Sequence, residues 1–204
     1  MTRLAASGIA AHVFFELGAG VGMPFASLLG PAPAAALWAV GTRSVFRAAA
    51  TRPASSDDAL AIVNGACLAA VIAHLCGWPT RRTRLGLPWL EDCEGLGPQL
   101  MPIYNPIIYF SGVTALIAIL AENRTASRRV PLLLAAALAP VLVWAQHGEF
   151  RRLTRLARSR RGWWNRRLQQ SLQSPPPQSC APGRTAFLPV VREQADRSVE
   201  RESR

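Results

Sequence analysis

His12 and Glu16 stand four residues apart in the apolar run 9–29, IAAHVFFELGAGVGMPFASLL. Four residues is one helical turn, so the imidazole and the carboxylate share a face. Ionisable groups inside a long apolar segment are expensive to bury and mark functional positions by default. A carboxylate so placed can carry a proton or bind a cationic ligand. It can equally be satisfied by His12, Arg43 or Asn64 and do no more than fix helix packing. The intramembrane polar cluster expected from the sequence is therefore His12, Glu16, Asn64, His74 and Arg43, with Arg47, His147 and Glu149 at segment edges.

The same groups bear on metal binding, which needs three or four convergent ligands. If five segments cross, His12 starts the first on one side, while His74 and His147 end the third and fifth on the other. No metal site and no cofactor is expected on that topology. A four-segment arrangement would bring the three histidines to one side. The four cysteines, Cys67, Cys76, Cys93 and Cys180, form no Cys-x-x-Cys pair. The run Glu91-Asp92-Cys93-Glu94 has no calcium-loop spacing and reads as solvated loop. No His-Glu-x-x-His, nucleophile elbow, P-loop or dinucleotide fingerprint occurs, so no catalytic residue is assigned.

The elements that must hold these groups are apolar segments of membrane-crossing length, about 20 residues each. They lie at 9–29, 33–50, 59–77, 101–121 and 130–147. The first is read as a retained helix, since His12 and Glu16 interrupt the apolar core a leader peptide would need. Gly18 and Gly22 form a small-xxx-small pair that lets helices approach closely. The second segment carries Arg43 and Arg47. An arginine costs about 2.5–3.5 kcal/mol at mid-membrane and less near an end, where it snorkels. Breaks fall at 51–58 and 122–129, the latter with the sequon Asn123-Arg124-Thr125. Residues 78–100 form a long polar connection, and Tyr104 and Tyr109 suit the interface beyond it.

Net charge is +11, and every one of the 23 basic side chains is arginine. With abundant Ala, Pro and Gly, that composition points to a high-GC bacterial coding bias. The charge is local: 151–167 holds eight arginines and no acid. Phe150, Leu153, Leu156 and Ala157 repeat at helical spacing, with Arg151, Arg152, Arg155 and Arg158 around them and Trp163 and Trp164 beyond. This predicts an amphipathic helix over 148–170 on anionic lipid headgroups. Nucleic acid is the weaker reading, because the patch directly follows an apolar segment. Residues 171–204 begin with three prolines and read as disordered.

The fold expected is thus an all-α polytopic membrane helix bundle over 1–147, of five or alternatively four spans, followed by the interfacial helix and the tail. With five spans and an inner C-terminus, the inner side carries 11 arginines against 7 outside. That places the protein in a bacterial inner membrane with the C-terminus cytoplasmic. The function expected is non-enzymatic, through packing, lipid contact, a second copy or another membrane protein. A small transporter or ligand-binding bundle centred on Glu16 is the alternative, and an intramembrane enzyme the third.

Overall fold

The computed structural model describes residues 1–51, 56–123 and 127–173. Two residues of the sequon, half of the first break, Cys180 and nearly all of the predicted tail lie outside them. The chain is mostly helical. Its elements are α1 (Thr2–Ala19), α2 (Ala26–Leu29), α3 (Pro31–Thr51), α4 (Asp57–Gly77), a hairpin of β1 (Thr80–Arg82) and β2 (Pro88–Leu90), α5 (Met101–Ile117), α6 (Arg129–Ser159) and α7 (Arg166–Gln173). Among the described residues, three helices are long and apolar enough to cross a membrane: α4, α5 with the π-turn that extends it to Glu122, and α6. α1 and α3, which take up much of the first two predicted segments, fall outside that group. Arg3, His12 and Glu16 interrupt α1, Arg43 and Arg47 interrupt α3.

The segment predicted at 9–29 starts earlier and ends earlier, because Gly20 stops α1. It takes a left-handed conformation, φ 84°, and its N–H bonds the carbonyls of Glu16 and Leu17. Glycine enters that region without steric cost, which makes it the common helix terminator. Asp57 and Asp58 lie in the first turn of α4, where carboxylates meet the positive end of the helix dipole. Glu122 caps α1 from another helix. Its carboxylate accepts from the Thr2 N–H at 2.9 Å and the Thr2 hydroxyl at 3.0 Å, and pairs with the Met1 amine.

Contacts at both ends of each pair fix the relative directions of the helices. Asn64 bonds Thr2 and His74 approaches Glu16, so α4 runs parallel to α1. Gly8 faces Ser111 and Thr2 meets Glu122, so α5 runs antiparallel to α1. Gly65 lies on Pro131 and Gln146 bonds the Ala73 carbonyl, so α6 runs parallel to α4. Arg3 lies over Phe46, while Phe14 shares a groove with Ala39 and Arg43, so α3 runs antiparallel to α1.

The main core sits at the end of the bundle where α1 and α4 finish. Val13, Leu17, Met23, Leu90, Leu96, Tyr104, Leu153 and Leu168 meet there, drawn from helices and from both long connections. The predicted interfacial helix is corrected at this point. Residues 148–159 continue α6 without a break, and Leu153 and Ala157 are buried against the chain's own loops. Burying a leucine is worth about 1.5–3 kcal/mol, and Leu153 and Leu168 obtain it from protein contacts. Arg151, Arg155 and Arg158 still face outward, and Trp163 is exposed. Arg152 is bound to Glu149 at 2.8 Å, and Trp164 packs on the core.

The glycine prediction is corrected too. A side chain at Gly18 would meet nothing within 4 Å, and Gly22 lies past the helix end under Leu153. The close approaches are made by Gly8 on α5, Gly65 on α6 and Gly112 against Val71. Each lies where two helices cross, and a sequence without its partner helix does not reveal that.

Candidate functional site

Glu16 lies in the last turns of α1 and is 1% exposed. His12, one turn earlier, puts Nε2 3.6 Å from Glu16 Oε1. His74, near the end of α4, puts Nε2 3.7 Å from the same oxygen. The two imidazole rings meet edge to face with centroids 4.9 Å apart. The Tyr104 hydroxyl donates a short hydrogen bond to Glu16 Oε1. Among the described residues, the ion-pair partners of Glu16 are these two imidazoles, and no arginine pairs with it.

The predicted separation of His12 from His74 fails for a simple reason. α1 starts at Thr2 rather than at residue 9, and it runs parallel to α4. His12 is therefore in the second half of its helix, level with the end of α4. His147 stays apart, against Trp78 with ring centroids 4.6 Å apart. Arg43 is exposed, in a groove with Phe14 and Phe46, and Arg47 borders the same groove. Asn64 is buried at the other end of α1, where it donates to Thr2 at 3.0 Å. Arg43 and Asn64 therefore leave the predicted cluster, which keeps His12, Glu16 and His74.

Sequence reasoning missed Tyr104, Cys93 and Glu94. Tyr104 reads as an interfacial aromatic but is fully buried. Gly8 and Ser111 bring α1 and α5 close, and two turns along each antiparallel helix then set Glu16 opposite Tyr104. Cys93 and Glu94 belong to the run read as solvated loop, yet Cys93 is 0% exposed. Asn105 staples that connection to α5. Its side chain accepts from the Leu90 N–H at 2.9 Å and donates to the Leu90 and Met101 carbonyls at 3.0 Å. Asp92 Oδ1 then accepts from the N–H groups of Cys93, at 2.7 Å, and Gly97, at 2.9 Å. Between them Glu94 adopts φ 51°, a left-handed conformation uncommon outside glycine. Burial, reinforced by the Glu16 charge, pushes the Glu94 carboxyl up to about 8. Burial likewise pushes the Cys93 thiol well above its ordinary value, with Glu94 and Glu16 adding to it.

Two overlapping groups of metal-ligating atoms result: His12, Glu16 and His74, and His74, Cys93 and Glu94. Within each group the ligand atoms lie within 4.8 Å of one another. Beside them is a cavity of about 300 Å³ between α1, α4 and α6, whose polar lining includes His12, Glu16, His74, Glu94 and Gln146. Its wall is otherwise mostly apolar, with Trp38, Phe25 and Leu142 among the larger side chains. At its edge Glu149 accepts from the Ser27 N–H at 2.9 Å and the Ser27 hydroxyl at 2.5 Å, and Arg152 bonds both Glu149 and Ser27. The chain matches no family model, no curated protein and no solved structure.

Proposed function

We propose that this chain is a small multi-pass membrane protein that binds a small cationic ligand at Glu16, from the cavity between α1, α4 and α6. One observation carries the reading. Glu16 is a fully buried carboxylate with no fixed cation beside it among the described residues, and it borders an open, protein-lined cavity. A buried carboxylate costs several kcal/mol unless it is paired or neutralised. Two imidazoles and a phenol hydroxyl orient the group but bring no permanent positive charge. A proton or a cationic ligand would complete the site. A carboxylate kept only for helix packing would be expected to have a direct arginine or amide partner in a dry interface.

In this reading all five long helices cross, with α1 and α3 admitted because their polar side chains face protein or lie near an end. The alternating helix directions support it. The membrane is a bacterial inner membrane with the C-terminus cytoplasmic. The outward Arg151, Arg155, Arg158 and Trp163 contact anionic headgroups, as their exposure beside an apolar helix favours. The activity is non-enzymatic, binding or transport.

The test is ligand-dependent stabilisation of the purified protein in detergent, against a panel of organic ammonium ions and of monovalent and divalent metal ions. Wild type should gain thermal stability with at least one of them, and Glu16→Gln should gain none. Equal gains in both proteins, or no gain in either, would overturn the reading.

A further inference from the structure

We propose that the ligand is a single divalent transition-metal ion of the zinc class, held by His12, Glu16 and His74 and completed from the loop by Cys93, with the Glu94 carboxylate beside it. The inference rests on the binding reading of Glu16 and deepens it by naming the ligand.

Spacing is the first argument. Two ligands about 2.0–2.1 Å from one ion at the tetrahedral angle lie about 3.3–3.4 Å apart. His12 Nε2 and His74 Nε2 lie 3.6 and 3.7 Å from Glu16 Oε1, too long for a good hydrogen bond and near that edge length.

Protonation is the second. His74 Nδ1 lies 2.8 Å from the Ala70 carbonyl, which fixes the proton on Nδ1 and leaves the Nε2 lone pair for an ion. A metal-bound histidine almost always donates its other N–H in this way. His74 Nε2 is buried and has no hydrogen-bond partner. With Nδ1 engaged, His74 has one nitrogen to give, so the two ligand groups that share it describe one ion. Tyr104 supplies the matching outer contact by donating to the same Glu16 Oε1, and a carboxylate oxygen has a second lone pair for an ion.

Donor chemistry is the third. Two imidazoles, carboxylates and a thiol suit zinc, cobalt or nickel, whereas calcium and magnesium take oxygen ligands. A dication also offsets the two carboxylates that the fold gathers here, Glu16 and Glu94. The left-handed backbone at Glu94 finds a purpose in turning the loop over the site. Such strained conformations cost on the order of 1–3 kcal/mol and cluster at functional sites.

The experiment uses the full chain in detergent, reduced and stripped with a chelator, then titrated with Zn²⁺ and Co²⁺. One ion per chain is expected. The Co²⁺ form should show tetrahedral visible absorption and a thiolate charge-transfer band. Cys93→Ser should abolish the charge-transfer band and keep the ion, while Cys76→Ser keeps both. His74→Gln and Glu16→Gln should each weaken binding by at least about a hundredfold, the upper end of what losing an outer-shell partner costs, with helicity and elution unchanged as the folding control. Two results would overturn the metal assignment: no saturable binding of either ion, or binding indifferent to His74→Gln. If organic cations alone stabilise wild type and not Glu16→Gln, the metal falls and the binding site stands. If nothing stabilises it, both fall.

Discussion

His74 Nε2 lies 3.7 Å from Glu16 Oε1 across the contact between α4 and α1, with both side chains withdrawn from solvent. Among the described residues no arginine pairs with Glu16, and it is this pair that the proposed ligand would complete.

Glu16→Gln separates the cost of that arrangement from its use. Without ligand, the variant removes a buried charge, so its melting temperature should equal or exceed that of chelated wild type. Wild type should become the more stable of the two when ligand is added. At one hundred times Kd the gain is about 2.7 kcal/mol. Calorimetry with and without Zn²⁺ on both proteins checks the crossing.

Gly65 and Gly18 should respond oppositely to alanine. A Cβ at Gly65 would sit 2.7 Å from the Pro131 carbonyl oxygen, which is backbone and cannot swing aside. Overpacking of this kind costs about 1–3 kcal/mol. Gly18 has open space around it, and alanine is better in a helix interior by up to about 1 kcal/mol. Thermal unfolding of Gly65→Ala and Gly18→Ala should show a loss for the first and no loss for the second.

Asn105→Leu removes the amide that holds Leu90 and leaves buried backbone groups without partners. Each such group costs about 1–3 kcal/mol. Because the staple positions the loop that carries Cys93, the Co²⁺ charge-transfer band should weaken more than the total ion bound. Equal weakening of both would mean that Asn105 acts on stability alone.

On the proposed five-span topology, the excess of inner over outer arginines rests on the stretch 151–167. Replacing the exposed Arg151, Arg155, Arg158, Arg160 and Arg161 with Gln leaves six arginines on the proposed inner side against seven outside. Alkaline phosphatase and green fluorescent protein fusions at the C-terminus should report one orientation for wild type and a mixture for the variant. A wild-type C-terminus on the outer side would refute the proposed orientation.

Much of the helix layout is legible in the sequence, because apolar runs bounded by Pro, Gly and acidic caps state their own limits. The segment 59–77 becomes α4 with a shift of two residues at its start. Errors arise where an end depends on a single cap. Gly20 stops α1 in the middle of an apolar run, and nothing distinguishes it locally from Gly18. The basic stretch misleads for another reason. An apolar helical face looks the same whether lipid or protein covers it, and here Leu153 covers Gly22 and its neighbours.

By itself the sequence determined that His12 and Glu16 share a helix face, since four residues make one turn. It also set the apolar helices and the local density of arginine. Tertiary structure decided the company Glu16 keeps. The parallel course of α1 and α4 delivers His74, the Gly8–Ser111 approach delivers Tyr104, and the Asn105 staple delivers Cys93 and Glu94. Arg43 and Asn64, equally plausible on paper, are excluded because one faces outward and the other meets the opposite end of α1. Helical periodicity is a property of neighbours in the chain. The choice of partners across helices depends on where backbones can approach, and that is settled only when all the faces are packed together.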